Sequence, residues 1–265
     1  MPQFNITQII DIARTAGNAA MKCIETSLEV QYKEKDNSPV TNADLEANGI
    51  VMKDLNRVSP GTPILTEEDP ASHKLAATEE LMWSVDPIDG TKTMVSYANG
   101  KKDHTGFAVN IGLLKNHKPI QGVVYYPAKD GGTLYYTGDD GKAYKQVGQT
   151  NPQVIMASPI SGEIKAAVPW DTHQRPETIR GQHYQAIPEV GGGRLLRVAE
   201  GDAHLSYTDD NFAYWDLSAA HAILKAAGGD ILNAATGKEL IYNNVNPSLP
   251  ATIGGHLDSL IRIFQ

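Results

Sequence analysis

The sequence predicts a mixed α+β / α/β protein: two helices packed on an antiparallel sheet in the first half, and a smaller mixed α/β unit in the second. Three observations predict it. Apolar residues recur at helical spacing over residues 5–27 and 42–57. Between residues 107 and 146, four apolar runs follow one another with only short Asn-His, Asp-Gly-Gly and Asp-Asp-Gly connections, which suit hairpins. Beyond residue 150, apolar runs alternate with a long helical pattern at 215–227 that stops at Gly228-Gly229. The polar stretch Thr150–Pro152 divides an N-terminal α+β part (1–150) from a C-terminal α/β part (151–265).

Each element follows from its residues. Ile6, Ile9, Ile10, Ala13, Ala16, Ala20 and Ile24 form the apolar stripe of the first helix, with Asn5 or Thr7 as its cap. Val30–Lys35 reads as a short strand and 36–39 as a polar turn. Thr41 or Asn42 caps the second helix, whose core face is Ile50, Val51 and Leu55. Ser59-Pro60-Gly61 ends it. Pro63–Thr66 is a short strand that delivers three acids, Glu67, Glu68 and Asp69. Such a run is ordinarily a solvated loop or a helix's first turn. Placed after a strand, it can instead meet a second acid-bearing strand end at one sheet edge.

That second strand end is W-S-V-D-P-I-D-G-T, residues 83–91. Leu81, Trp83 and Val85 alternate as a buried strand, and Pro87, lacking an N–H, is expected to stop its ladder. Asp86 and Asp89 then sit three residues apart, flanking the Ile88 carbonyl, a set of hard oxygens suited to Mg²⁺. A helical turn starting at Thr91 would offer free amides to a phosphate. The other reading of these residues is an acidic surface turn.

Further along, 97–105 reads as a polar loop whose Lys101 and Lys102 are either solvated charge or phosphate-steering groups. The expected strands are 107–114, 120–126, 133–136, 142–146, 154–157, 204–207, one from Ile231 onward and one near 250–253. Residues 158–190 carry Trp170, Asp171, His173, Arg175, Arg180 and His183 without a clear period, and read as ordinary surface. Gly191-Gly192-Gly193 opens a helical segment at 195–199 and is a weak phosphate-loop signal. Asp216 falls at the N-terminus of the 215–227 helix, where the helix dipole stabilises a carboxylate.

Composition narrows the function. The 265 residues are 41% hydrophobic and 20% charged, with net charge −8. That charge argues against a nucleic-acid polymer or an anionic membrane as partner, while bound cations would still admit a phosphorylated substrate. A single cysteine, Cys23, excludes an internal disulfide framework and fits a reducing compartment. The N-terminus lacks the basic and apolar regions of a signal peptide, and no stretch is long enough to span a bilayer. A cytoplasmic location and no membrane insertion are expected.

Taken together, V-T-N-A-D (40–44), L-T-E-E-D-P (65–70), D-P-I-D-G-T (86–91) and W-D-L-S-A-A (215–220) resemble, in order, the motifs of the inositol monophosphatase superfamily of Mg²⁺-dependent phosphomonoesterases. D-N-S-P-V-T-N-A-D, T-E-E-D-P, D-G-T-K, V-A-E-G and W-D-L-S-A-A-H-A-I are similar to its 3′(2′),5′-bisphosphate nucleotidase branch. The resemblance implies an α-β-α-β-α layered sandwich with the site between the two parts. It implies two or three Mg²⁺ ions: Glu67, Asp86 and the Ile88 carbonyl would hold the first, and Asp86, Asp89 and Asp216 the second. Glu67 and Thr91, the latter oriented by Asp44, would position the attacking water. The amides of Gly90 and Thr91 would hold the phosphate, with Asp89, Lys92, Arg194 and Asp216 as further substrate contacts. A small-molecule phosphate ester, a role in sulfur metabolism and lithium sensitivity come with the resemblance, and dimers are common among relatives.

The chain departs from that branch where substrate is read. Ala157-Ser158-Pro159-Ile160 stands where a Ser-Arg-Ser-His-like segment is usual, Arg194 replaces a lysine, and Thr93-Met94 replaces an acidic-aromatic pair. Arg175, Arg180 and His183 are candidates for a different second-phosphate contact. The function read here is hydrolysis of the 3′-phosphate of 3′-phosphoadenosine 5′-phosphate or a related bisphosphate. An inositol-1-phosphate or sugar-phosphate phosphatase on the same scaffold is the alternative, and a non-catalytic phosphate-binding protein the third.

Overall fold

The computed structural model describes residues 4–33 and 37–265. Helix α1 (Ile6–Thr26) is capped by Asn5, whose side chain accepts from the Thr7 amide. A two-stranded ribbon, β1 (Val30–Tyr32) with β2 (Pro39–Thr41), leads into α2 (Asn42–Val58). The last residues of the strand expected at 30–35, and the first of the turn after it, lie outside the described residues. Thr41 caps α2 in a reciprocal box: its hydroxyl accepts from the Asp44 amide while the Asp44 carboxylate accepts from the Thr41 amide. Val51 and Leu55 are buried as expected, whereas Ile50 is only partly so.

The seven-stranded sheet runs in the order β3 (Ile64–Thr66), β4 (Leu81–Asp89), β5 (Ala108–Lys115), β6 (Lys118–Tyr126), β7 (Thr133–Thr137), β8 (Ala143–Val147) and β9 (Gln153–Ile155). All neighbours are antiparallel except β3 and β4, which are parallel. Period-two alternation decides the faces. Trp83, Val85, Val109, Ile111, Leu113, Val123 and Tyr125 face α1 and α2, while Met82, Ala108, Val124 and Tyr126 face the other way.

Two expectations about this sheet need correction. Pro87 does not stop the ladder: β4 continues to Asp89, with a register shift between Asp86 and Asp89. On its other side β3 pairs only as far as Val85, so Pro87 lies where one edge is free and a missing N–H loses nothing. The division expected at 150/151 falls between β8 and β9, which pair as adjacent strands. The chain therefore leaves the first sheet only after Ile155.

The second sheet is five-stranded, ordered β11 (Gln185–Pro188), β10 (Lys165–Val168), β12 (Leu205–Thr208), β14 (Thr252–His256) and β13 (Gly229–Asn233). It mixes parallel pairs (β10 with β11 and β12) and antiparallel ones (β14 with β12 and β13). Helices α4 (Gly193–Ala199) and α5 (Tyr214–Ala226) fill the layer between the sheets, and α6 (Leu257–Phe264) covers the far face. The layers are thus α1/α2, sheet, α4/α5, sheet, α6, the predicted sandwich, with three apolar cores between them. The sequence reading did not anticipate α6, nor the 3-10 helix at Pro70–Ala77.

Helix α5 belongs to the second half of the chain yet lies against β4, β5 and β6 of the first sheet. Gly112 and Gly122, paired across β5 and β6, make this possible. A Cβ on Gly122 would lie 2.1 Å from the Ala219 carbonyl oxygen, and one on Gly112 would lie 2.5 Å from Ser218 Oγ. Only a glycine pair lets the helix settle this low, and that depth sets where its N-terminal turn points.

Candidate active site

Five elements converge at one end of the first sheet. The parallel pairing of β3 with β4 sets Thr66 opposite Val85, so Glu67 and Asp86 leave adjacent strand ends, the convergence the sequence suggested. The bulge then turns Asp89 toward the same side. Asp216 arrives from the first turn of α5, where one of its oxygens accepts from the Ala213 amide at 2.6 Å. Carboxylate oxygens of Asp86, Asp89 and Asp216 lie within 4.8 Å of one another.

Each carboxylate has a fixed orientation. Asp86 Oδ1 accepts from the Ile88 amide at 3.0 Å. Asp89 Oδ2 accepts from Asn110 Nδ2 at 3.2 Å and from the Gly192 amide at 3.3 Å. Gly191 has φ +47°, and a Cβ there would lie 2.3 Å from Asp89 Oδ2. The glycine run is therefore the seat of the Asp89 carboxylate, not the phosphate loop that its composition suggested. Asn110 is a partner that sequence reasoning missed. Its position opposite Asp86 in the β4–β5 register is visible only once strands are paired.

Burial drives all three acids toward the protonated form, and their mutual repulsion adds to it. Asp86 and Asp216 are pushed well above the usual carboxylate range, and Asp89 to about 6 even with the Gly192 and Asn110 bonds opposing the shift. The charge of Asp216 acts on Asp86, and that of Asp89 acts on both. A cluster that strained has the donor chemistry of a hard-cation site: oxygens only, converging, and under-neutralised.

Glu67 lines the same cleft and its charge acts on Asp86 and Asp89, but its Oε1 faces Lys33 Nζ at 2.8 Å. Lys33 also bonds Glu68 at 3.0 Å. Burial works against the lysine's charge, yet the two carboxylates hold it firmly protonated. This counter-ion, reaching in from the end of β1, was not anticipated, since an isolated lysine after a short strand carries no signal.

Beside the acids, Gly90 (φ 87°) turns the chain from β4 into α3 (Thr91–Ala98), the helical turn expected at Thr91. Thr93 and Met94 donate to the Gly90 carbonyl. The leading amides of that first turn have no helical carbonyl behind them and face the cleft end. Thr91 Oγ1 donates to Asp44 Oδ1 at 2.8 Å and lies 3.3 Å from the Ile88 carbonyl. The other Asp44 oxygen accepts from the Thr41 amide at 2.8 Å and the Thr41 hydroxyl at 2.6 Å. Burial raises the Asp44 carboxyl against these bonds.

The remaining candidates divide. Lys92 and Arg194 both line the cleft of about 470 Å³. Lys92 is exposed. Arg194 is buried, with Nε donating to the Gly191 carbonyl at 3.1 Å and a terminal nitrogen to that of Tyr207 at 2.9 Å, and it stacks on Phe212. Arg175 donates to the carbonyls of Pro169 and Trp170, and Arg180 lies over the Phe264 ring. His183 lines a separate depression with Glu163 and Arg262. Ala157–Ile160 is anchored to Ala227 and Ser259, away from the cleft, and the segment that enters the cleft is Pro169–Asp171, after β10.

The profile of the inositol monophosphatase family matches residues 3–262. The chain belongs to this family, as its motifs implied. It is 31% identical to the 3′(2′),5′-bisphosphate nucleotidase CysQ of Salmonella typhimurium over 254 residues, covering 94% of this chain and 99% of the relative. With the Escherichia coli protein of the same name it shares 33% over 250 residues, covering 89% and 93%. The crystal structure of CysQ from Bacteroides thetaiotaomicron matches with a TM-score of 0.76 at 27% identity, over 94% of this chain and 96% of that one. A Thermotoga maritima IMPase, at TM-score 0.75 and 20% identity over 97% and 95%, shares the fold. Among the described residues no helix is long and apolar enough to cross a membrane.

Proposed function

We propose that the protein is a divalent-cation-dependent 3′(2′),5′-bisphosphate nucleotidase that hydrolyses the 3′-phosphate of 3′-phosphoadenosine 5′-phosphate or a closely related bisphosphate. The observation that carries this reading is the three-carboxylate cluster of Asp86, Asp89 and Asp216 beside the Thr91–Asp44 pair, in a chain whose relatives bear that name. Mg²⁺ is the cation this donor set fits, in two or three ions held by Glu67, Asp86, the Ile88 carbonyl, Asp89 and Asp216. When bound, Mg²⁺ supplies neutralisation of the phosphoryl oxygens and a lowered pKa for water.

The chain's own residues do the rest. The first-turn amides of α3, with Gly90 and Thr91 leading, orient the phosphoryl group at a helix N-terminus. Thr91, its proton committed to Asp44, presents lone pairs to a water. It takes a proton from that water as its own passes to Asp44, while Glu67 fixes the water's position. The new P–O bond forms from this water as the P–O3′ bond breaks, and the departing 3′-oxygen takes a proton from a solvent water, leaving inorganic phosphate and the 5′-monophosphate. Lys92 is an exposed cation of the cleft that would meet a second phosphate, and Arg194 braces the Gly191 turn.

Phosphate release from a panel tests this: 3′-phosphoadenosine 5′-phosphate, inositol 1-phosphate, fructose 1,6-bisphosphate and 2′-AMP, each with and without Mg²⁺ and with Li⁺ added. Mg²⁺-dependent release fastest from the first compound is expected. Faster release from inositol 1-phosphate or the sugar phosphate would move the protein to the sister activity. No release from any ester would leave a phosphate-binding protein.

A further inference from the structure

The cleft that holds the carboxylates is also lined by an indole that the reaction does not use. Trp170 is 65% exposed, whereas Trp83 is fully buried, and Trp215 packs against His73 in a tilted arrangement with ring centroids 4.7 Å apart. Trp170 lines the same cavity as Asp86, Thr91 and Asp216. A large aromatic side chain left in water forgoes the burial that ordinarily places it in a core.

The backbone that displays it is fixed. Arg175 Nε donates to the Pro169 carbonyl at 2.6 Å, and its terminal nitrogen donates to the Trp170 carbonyl at 2.8 Å. Asp171 caps the short 3-10 turn that follows, accepting from the His173 amide at 2.9 Å. Pro169 restricts the approach from β10. The indole therefore stands on a pre-organised corner, and little ordering remains for a ligand to impose. The cavity, about 470 Å³, has room for more than a phosphate group. An exposed aromatic in the same cleft as the proposed phosphate site matches one ligand chemistry: a flat base joined to a phosphorylated sugar.

We propose that Trp170 is the platform on which the nucleobase stacks, and that it makes the cleft prefer nucleoside bisphosphates to base-free phosphate esters. This rests on the nucleotidase reading above and adds the residue that recognises the base. Stacking uses the π-face that every base has, so Trp170 selects for a base without choosing strongly among bases.

The test compares kcat/KM for 3′-phosphoadenosine 5′-phosphate with that for fructose 1,6-bisphosphate, in wild type, Trp170→Ala and Trp170→Phe. Base–aromatic stacking of ~1–3 kcal/mol corresponds to about a 5- to 140-fold effect. The nucleotide-to-sugar ratio should fall by that factor in Trp170→Ala, through KM, and return to within about threefold of wild type in Trp170→Phe. Titration with 5′-AMP should quench tryptophan fluorescence in wild type and not in Trp170→Phe, an outcome independent of turnover. A wild type that prefers the nucleotide, with its ratio unchanged in Trp170→Ala, overturns the platform and leaves the nucleotidase reading standing. A wild type with no preference and no quenching overturns both.

Discussion

On one wall of the cleft most functional groups take a bond from their own neighbourhood, Asp86 from the Ile88 amide, Asp216 from the Ala213 amide and Asp44 from Thr41, while Asp89 and Glu67 draw on the more distant Asn110, Gly192 and Lys33. On the facing wall, Trp170 and Glu189 stand on a stretch with little regular structure, fixed by guanidinium groups of Arg175 and Arg197. The first wall is made of strand ends and helix first turns, where backbone geometry leaves little freedom. The second depends on a few side-chain tethers and can change without disturbing the sheet beneath it. In a family that shares one scaffold, such a division lets the bond-breaking apparatus stay constant while the recognition surface varies. It also predicts that substitutions on the two walls fail differently, in turnover on the first and in KM on the second.

The largest effect belongs to the acids. Asp89→Asn or Asp216→Asn should lower kcat by on the order of 10²–10³-fold, a magnitude typical of losing one group that stabilises transition-state charge. The fold should persist, because each change removes a charge from an already repelling cluster. Circular dichroism and a thermal melt alongside the assay check this. Near-normal turnover in either variant would break the two-wall division at its centre. Thr91→Ala comes next, with a loss of about 10²-fold in kcat at nearly unchanged KM. Thr91→Ser keeps the hydroxyl and should recover most of that loss. If Ser behaves like Ala, the hydroxyl is not the proton carrier.

The metal-free protein offers a third, smaller test. Asp86, Asp89 and Asp216 all have raised pKa values in the fold, Asp89 from 3.8 to about 6. A folded-state pKa above the unfolded one means the folded form holds the proton more tightly. The stability contributed is therefore complete below about pH 3.8 and is lost as pH rises through 6. In EDTA, the melting temperature of Asp89→Asn should exceed that of wild type by a margin that grows from pH 4 to about 6.5. Added Mg²⁺ should stabilise wild type more at pH 8 than at pH 5. A margin independent of pH would mean that the cluster is not strained without cation.

The two walls also differ in what a reader of the sequence can see. The first was legible because its residues lie at element boundaries whose signals are local. Thr41 and Asp44 form a capping box, Asp86 ends an alternating strand, and Asp216 opens a helix that stops at Gly228. Ordered motifs then joined positions that no local signal connects, such as Asp44 with Thr91. The facing wall was illegible because its order comes from tertiary tethers. Arg175 read as a candidate second-phosphate contact, yet both its bonds go to main-chain carbonyls a few residues back. The Ala157–Ile160 segment appeared to hold the specificity position, yet β10 delivers a different corner to the cleft. Lys33 and Asn110 were missed for the same reason, since each acquires meaning only through a partner far along the chain. The Gly191–Gly193 run misled in another way. Its composition suits a phosphate loop, but the space it leaves is filled by the Asp89 carboxylate.

The smallest effect sharpens the comparison most, because it acts on the second wall without touching a ligand-facing group. Arg175→Ala removes the clamp from the Pro169 and Trp170 carbonyls and leaves the indole itself in place. Those bonds are partly solvent-exposed, so the fold should lose only about 1 kcal/mol. The corner would sample more conformations, and the ordering once completed in folding would fall on binding. KM for the nucleotide should rise about 3- to 10-fold while kcat stays within about twofold. Arg175→Lys should not rescue it, because one ammonium cannot reproduce the two-carbonyl geometry of a guanidinium. A fall in kcat equal to the rise in KM would mean that the two walls are mechanically coupled, and that the tether also positions the acids across the cleft.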